Sequence, residues 1–233
     1  MEEYNLQEIR IEDYNSIKEY YQKRRPETAD SNILDLYIWL NCYPTWYFTN
    51  DKGLMWVAKS EDGQYYSSIP CCKDEDLKEC FLETQKYFNE VLQKKLVMYV
   101  VDKAAVDLLQ LPKDEYVVVP DRTYADYVYD AEKLRTFSGK KYHKKKNHLN
   151  AFKREYEGRY EFKFLSKKDE PEILAFLEDW KKHKSDTEEH EFIDSEAVGI
   201  KYILEHEEVF DYKIGAVYVD NKLEAFTIGN YES

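Results

Sequence analysis

The chain has few glycines, and they lie far apart. Its 233 residues include seven, at positions 53, 63, 139, 158, 199, 215 and 229, and no two are closer than ten positions. Phosphate-binding loops need glycines close together, because their backbone amides must approach the ligand. The sequence therefore excludes a recognisable Walker loop or dinucleotide-binding fingerprint. It also contains no G-x-S-x-G elbow of the kind that presents a hydrolase serine.

Long apolar runs and metal-binding spacings are missing as well. No stretch approaches the run of about 18 apolar residues that spans a bilayer. The charged N-terminus, MEEYNLQEIRIEDY, lacks the apolar core of a signal peptide. These features predict a cytoplasmic protein without a transmembrane segment. The cysteines match no zinc-binding spacing, so we expect inert thiols and no metal site at Cys42, Cys71, Cys72 and Cys80.

Acidic residues are missing from one stretch of an otherwise acidic chain. The formal net charge is −13, yet residues 135–154 contain eight Lys or Arg, two His and neither Asp nor Glu. Such a stretch is either a solvated helix face or a binding site for an anion. A solvated face normally mixes both signs, so the absence of acids favours the anion. The candidate ligands are polyanions: the phosphates of tRNA or of a cofactor such as coenzyme A, and anionic lipid head groups.

The spacing within this stretch predicts a helix over 140–156, preceded by a cap and hinge at Ser138-Gly139. At 100° per residue, one stripe gathers the apolar side chains of Tyr142, Leu149, Phe152 and Tyr156. A second face gathers Lys140, His143, Asn147, Asn150 and Arg154. Lys145 falls on the apolar stripe, where it must reach solvent, meet a buried acid or point into a ligand cleft.

The predicted order of elements occurs twice along the chain. The first copy, at about 1–125, has a strand, two short helices, a three-stranded meander, a long helix and further elements. Their predicted bounds are 5–10, 11–24, 31–40, 45–50, 53–59, 64–70, 74–93, 95–101, 102–111 and 115–120, with 124–130 as a candidate continuation of the sheet. The second copy has a strand, two helices and a hairpin that turns at Asp220-Asn221. Their predicted bounds are 160–166, 168–184, 194–208, 212–220 and 222–230.

This repeat predicts an α/β (α+β) protein of two fused units, each a mostly antiparallel sheet flanked by helices. The predicted domains are 1–130 and 131–233. The second copy stops after its hairpin, so the second unit is expected to be incomplete and strand 222–229 to lie at the sheet edge. Either the chain is truncated, or another chain covers that edge, for example in a homo-oligomer.

Three segments carry a resemblance to a known family. LRTFSGKKYHKKKNHLNAFKREY (134–156), LEAFTIGN (223–230) and NILDLYIW (32–39) resemble a bacterial family of uncharacterised proteins that share the C-terminal domain of phosphatidylglycerol lysyltransferases. The resemblance covers most of the chain and implies two fused GNAT-like (acyl-CoA N-acyltransferase-like) units. Better-known relatives move an amino acid from aminoacyl-tRNA to a lipid or a peptidoglycan peptide. The glycine-rich pyrophosphate loop of ordinary GNAT acetyltransferases is absent, which weakens acetyl-CoA as donor.

The resemblance also implies site residues. The basic motif matches at Gly139, Lys140, Lys141, Tyr142, Lys144, Lys145, Asn147 and Phe152. The strand motif matches at Ala225, Phe226, Thr227 and Gly229. The expected anion-binding residues are Lys140, Lys141, Lys144, Lys145, Asn147 and Arg154. Tyr142 or His143 is expected to relay a proton, and Phe226 and Thr227 to align the acyl group, in a cleft between the two units.

The leading functional hypothesis is therefore an acyl or aminoacyl transferase with aminoacyl-tRNA or acyl-CoA as donor. In such an enzyme an acceptor amine or hydroxyl attacks an activated ester or thioester directly. The protein supplies orientation and charge stabilisation rather than a covalent nucleophile. Two alternatives stay open, a non-catalytic anion- or RNA-binding module and an inactive homologue whose sheet is completed by a partner.

Overall fold

The computed structural model describes residues 4–24, 28–183 and 187–230, with the backbone alone for 187–192. The chain divides into two compact units. The first contains Met1–Ala125 and Asp194–Val209, and the second contains Asp126–Ile193 and Phe210–Ser233. Each unit combines helices with an antiparallel sheet. This confirms the predicted mixed α and β fold class, and it agrees with the GNAT-like architecture that the resemblance implies.

The first unit places short helices around one sheet. Its elements are β1 (Gln7–Glu8), α1 (Tyr14–Tyr21), α2 (Ile33–Trp39), β2 (Thr45–Thr49), β3 (Gly53–Lys59), β4 (Tyr65–Tyr66), β5 (Cys71–Cys72), α3 (Leu77–Lys86) and α4 (Lys103–Leu109). A π-helical turn, Tyr87–Val91, extends α3. The helix predicted over 74–93 is thus confirmed.

The sheet of the first unit is covered on both faces. Its strands follow the order β1-β2-β3-β4, with β5 also paired to β3, and every pairing is antiparallel. Successive side chains of a strand point to opposite faces. On one face of β3, Met55 and Val57 join a core cluster with Phe81 of α3. On the other face, Trp56 contacts Tyr21 of α1 at 5.9 Å between ring centroids.

The strands predicted over 95–101 and 115–120 are wrong. Residues 95–101 form a single parallel bridge, between Met98 and Ser67. The extended run ends because Val100 adopts φ 54°, which a β-branched residue seldom does. Residues 115–120 belong to no strand, and Val117 is 89% exposed. A valine-rich segment becomes a strand only where a neighbour completes its hydrogen bonds.

Two further predictions in this region need correction. The segment 124–130 does not continue a sheet. The single strand predicted over 64–70 is replaced by the two-residue strands β4 and β5, which pair with opposite ends of β3. After Ala125 the chain instead forms a short helix, α5 (Ala131–Thr136), which the sequence analysis did not assign.

The second unit has a smaller sheet. The remaining elements are α6 (His143–Glu155), β6 (Tyr160–Leu165), α7 (Glu170–Lys182), α8 (Thr187–Glu205), β7 (Lys213–Val219) and β8 (Lys222–Gly229). The strands follow the order β6-β7-β8 and all pair antiparallel. Asp220 and Asn221 adopt φ 50° and 65°, so the hairpin turn is confirmed. β8 lies at the sheet edge as predicted, while its pairing with another chain stays a prediction.

The two faces of this second sheet differ in burial. On one face the fully or nearly buried side chains are Ile214, Ala216 and Leu223, together with Ile173 and Leu177 of α7. On the other face Phe162 and Phe164 are 58% and 66% exposed. One face of the second sheet is therefore packed against α7, and the other carries exposed aromatic rings.

The two units share helix α8, whose residues from Asp194 onward are grouped with the first unit. A Cβ atom added at Gly199 would overlap the carbonyl oxygen of Ile38 in α2, so α8 approaches the backbone of α2 through a residue without a side chain. The predicted domains, 1–130 and 131–233, differ from the compact units in this segment and stay a prediction.

Candidate anion-binding site

The basic segment forms the predicted helix. A 3-10 turn, Lys140–Tyr142, leads directly into α6, and residues 140–155 are called the basic helix below. Gly139 adopts φ 91°, and a Cβ atom there would meet nothing within 4 Å. The glycine is therefore required by backbone conformation rather than by crowding. Gly139 occupies the N-cap position without a side-chain cap hydrogen bond, and the hinge expected there stays a prediction.

The predicted packing stripe is also confirmed. Four side chains of the segment are half-buried, and the remaining residues between 140 and 155 are exposed. The four are Tyr142, Leu149, Phe152 and Tyr156. The ring of Phe152 lies 5.0 Å from that of Tyr156 and 5.3 Å from that of Tyr160 on β6. The C-terminal end of the basic helix thus packs on the first residue of the second sheet.

Lys145 lies over an aromatic ring. Its Nζ atom is 4.9 Å from the centroid of Tyr129, a cation–π geometry. Tyr129 is stacked with Tyr127 at 6.3 Å and 10°, and it lies 6.4 Å from Tyr142. We call Tyr127, Tyr129 and Tyr142 the tyrosine cluster. Lys145 therefore occupies a position on the apolar stripe without burying its charge, because its ammonium group lies over the exposed ring of Tyr129.

The cations of the basic helix have no acidic partners within the described ranges. None of the seven Lys and Arg side chains between 140 and 154 forms an ion pair there. They are Lys140, Lys141, Lys144, Lys145, Lys146, Lys153 and Arg154. Cations elsewhere do find acids: Lys52 with Glu79, Lys103 with Asp107, Arg135 with Glu132, and Arg159 with Asp220. These unpaired cations form a positively charged surface on an acidic protein.

A pocket of about 660 Å³ lies at the C-terminal end of the basic helix. We call it the turn pocket, and its lining residues are Asn150, Lys153, Arg154, Glu157, Gly158 and Tyr160. Helix α6 supplies the amide and the two cations, β6 supplies the tyrosine, and the turn between them supplies the glutamate and glycine. Gly158 adopts φ 73°, which allows the chain to turn sharply from helix to strand.

Arg159 fixes this turn to the β7–β8 hairpin. Its Nε donates to Asp220 at 2.8 Å, and a second guanidinium nitrogen donates to the other carboxylate oxygen. The backbone amide of Asp220 also donates to the carbonyl of Arg159 at 2.9 Å. The hydrogen bond from the guanidinium lowers the pKa of Asp220 below its ordinary value. Arg159 therefore holds the wall of the turn pocket and is not available to a ligand.

The other predicted site residues lie in three different surroundings. Tyr142 is half-buried in the tyrosine cluster. His143, the first residue of α6, is exposed, and its ring forms no hydrogen bond to a described residue. Phe226 packs on Phe176 of α7 at 5.5 Å. Thr227, the next residue along β8, points to the opposite face. One ligand therefore cannot contact both side chains on β8, and the binding roles of all these residues stay predictions.

The structure adds residues that the sequence analysis did not select. Tyr127 and Tyr129 lie in a segment predicted to be a strand. The available signal was the run of tyrosines in YADYVYD, which comes a few residues before the basic segment. Glu157, Gly158 and Tyr160 carried no signal, because only the turn after α6 brings them to Lys153.

Comparison with known proteins identifies the class. The chain matches the family described as "Phosphatidylglycerol lysyltransferase, C-terminal" over residues 21–231, and it belongs to that family. It is 28% identical over 100 residues to the uncharacterized protein MYCGA3080 of Mycoplasmoides gallisepticum; the match covers 43% of this chain and 32% of that relative. The chain thus spans about a third of the length of this curated relative.

A solved structure has the same fold. It is a crystal structure of a conserved protein of unknown function from Bacteroides thetaiotaomicron. The likeness has a TM-score of 0.83 and 25% sequence identity, and it covers 97% of this chain and 75% of that one. The family is therefore defined, and the relatives found leave the specific activity open.

The described residues contain neither a membrane-spanning helix nor a cluster of metal-binding side chains. No helix there has the length and apolar content to cross a membrane. No group of three or more His, Cys, Asp or Glu side chains in the same ranges comes together as a metal ion would require.

Proposed function

We propose that the chain is a GNAT-like acyl or aminoacyl transferase domain whose basic helix binds the phosphates of the donor. The observation that carries this proposal is the set of seven cations without acidic partners among the described residues, on a chain of net charge −13. Membership of the lysyltransferase C-terminal family supports transfer as the reaction class. An acceptor amine or hydroxyl attacks the activated carbonyl of the donor, and a new amide or ester bond forms. The bond from that carbonyl to the donor oxygen or sulfur breaks, and the tRNA hydroxyl or the coenzyme A thiol leaves with a proton.

The tyrosine cluster favours aminoacyl-tRNA over acyl-CoA as donor. Proteins that bind single-stranded nucleic acid combine a basic surface with aromatic rings on which bases stack. Tyr127 and Tyr129 are exposed, and they lie beside Lys145 at the start of the basic helix. The wide spacing of the glycines argues in the same direction, since it leaves no pyrophosphate loop for coenzyme A.

In this proposal the basic helix binds the donor, and its first turn supplies the group that accepts a proton during transfer. Lys140, Lys141, Lys144 and Asn147 contact phosphates from the exposed side of the helix. Lys145 contacts a phosphate next to a stacked base, and Arg154 contacts one at the far end. His143 or Tyr142 accepts the proton that the acceptor loses as it attacks, and the group on β8 that aligns the acyl carbonyl is Thr227.

A second candidate is a non-catalytic polyanion-binding protein. It is favoured by His143, whose ring has no hydrogen-bond partner among the described residues to orient it for proton transfer. The opposite directions of Phe226 and Thr227 also favour it, because they divide the predicted acyl site. Both candidates require the same polyanion binding, and they differ in turnover.

The test is a transfer assay on the full chain. Lysyl-tRNA labelled on the amino acid is incubated with vesicles that contain phosphatidylglycerol, and acetyl-CoA serves as the alternative donor. Movement of label from tRNA to lipid supports the transferase. Binding of tRNA without transfer supports the second candidate. Absence of tRNA binding at low salt, together with no transfer from acetyl-CoA, refutes both.

A further inference from the structure

The turn pocket has the features of a small-molecule site in addition to the polyanion surface of the basic helix. It is an open surface depression whose lining residues are all exposed, and its volume of about 660 Å³ lies within the range of about 300–1,000 Å³ that is typical of ligand pockets. We infer that it binds the terminal phosphate of a nucleotide, a phosphate monoester attached to a ribose and a base. This inference rests on the proposed anion-binding role of the helix, but it names a different ligand, and Arg154 is the one residue that it shares with the proposed donor site.

The pocket is lined by two neighbouring cations and by one acid, Glu157. Lys153 and Arg154 both line it, and neither forms an ion pair with a described residue. A guanidinium presents a planar fork that matches two phosphate oxygens, and an ammonium adds a compact charge for the third. Asn150, one helical turn before Arg154, adds an amide donor. A terminal phosphate has three oxygens free for such contacts, whereas a diester within a nucleic acid has two.

The turn adds backbone donors to these side chains. The amide groups of Glu157 and Gly158 form no backbone hydrogen bond to a described residue. Gly158 adopts φ 73°, and successive amides around a residue in this conformation form a concave site that binds anions. The clamp between Arg159 and Asp220 fixes the turn, so these donors are already in place before a ligand arrives.

Glu157 and Tyr160 select the rest of the ligand. Glu157 is the acid of the pocket, and it repels a bare phosphate. A carboxylate at this position is favourable when the ligand brings hydroxyl donors, as in the acidic residue that receives a ribose in dinucleotide-binding folds. The ring of Tyr160 is 38% exposed and is held edge-on by Phe152, which provides a flat surface for a base.

The experiment measures binding of AMP to the full chain by isothermal titration calorimetry. Adenosine, inorganic phosphate and vesicles containing phosphatidic acid are the comparison ligands. AMP is expected to bind, and adenosine to bind at least about tenfold more weakly because the charge-assisted contacts are lost. Arg154→Gln should weaken AMP binding by roughly tenfold. Glu157→Gln should strengthen binding of inorganic phosphate and narrow the preference for AMP over phosphate.

Matched controls separate the pocket from the rest of the helix. Lys140→Gln with Lys141→Gln should weaken tRNA binding and leave AMP binding unchanged. Gly158→Ala strains the turn and should lower AMP affinity, although the new methyl group meets nothing within 4 Å.

The inference is overturned if AMP does not bind, if Arg154→Gln binds AMP as wild type does, or if phosphatidic acid vesicles bind and AMP does not. If AMP does not bind but tRNA binds with the expected salt dependence, this inference alone is refuted. Binding of AMP without tRNA binding refutes the proposed function and leaves the pocket standing.

Discussion

Replacing Lys140, Lys141 and Lys144 with Gln should reduce both the affinity for tRNA and its dependence on salt. All three side chains are exposed and without partners among the described residues. Each phosphate contact contributes about 0.7–0.9 to the slope of log affinity against log salt, so three lost contacts should lower the slope by about 2–3. At a slope difference of about 2.5, the advantage of the wild type falls roughly thirtyfold between about 50 and 200 mM salt.

The assay is fluorescence anisotropy of labelled tRNA across a salt series. A matched control carries the same loss of charge away from the helix, at the exposed residues Lys78, Lys95 and Lys113. The control should keep nearly the wild-type slope. Unfolding free energies of both variants should stay within about 0.5 kcal/mol of the wild type, since surface substitutions seldom cost more. A wild-type slope in the helix variant, or an equal loss in the control, would refute specific binding by the helix.

Four further changes test the structure. Lys145→Gln removes a cation–π contact with Tyr129 and should cost about 0.5–1 kcal/mol in urea unfolding. Gly199→Ala should destabilise by about 1–3 kcal/mol because its methyl overlaps a backbone carbonyl; Gly229→Ala, with open space around it, is the control, and equal melting temperatures would contradict the packing. Arg24→Met should cost about 3–5 kcal/mol, since it removes the guanidinium nitrogen that donates to both oxygens of the buried Asp102 carboxylate. Burial, and then the hydrogen bond to Glu172, raise the pKa of Tyr218 to about 12. The unfolded state therefore loses this proton first, and the stabilisation is complete below pH 10 and lost toward pH 12. Tyr218→Phe should show a smaller fall in unfolding free energy across that interval, and an unchanged fall would refute the assignment.

The basic helix was predictable because its pattern is local. A solvated helix buries one stripe, so the period of 3.6 alone identified Tyr142, Leu149, Phe152 and Tyr156 as the half-buried side chains. The hairpin at Asp220-Asn221 was predictable for the same reason, since both residues tolerate the backbone conformation of the turn.

The errors concern features that depend on distant residues. The segments 95–101 and 115–120 have the composition of strands, but a strand exists only where another segment pairs with it. The turn pocket depends on how Gly158 redirects the chain from α6 to β6, which no spacing in the sequence reveals. Likewise, the assignment of 194–209 to the first unit depends on the approach of α8 to the backbone at Ile38.

The most direct test of the central claim is lysine footprinting by mass spectrometry. The full chain is treated with a lysine-acetylating reagent with and without tRNA at low salt, and modification is quantified at each lysine. The account predicts strong protection of Lys140, Lys141 and Lys144 and unchanged modification of Lys78 and Lys113. Equal modification of the helix lysines with and without tRNA, or protection spread uniformly over all lysines, would contradict it.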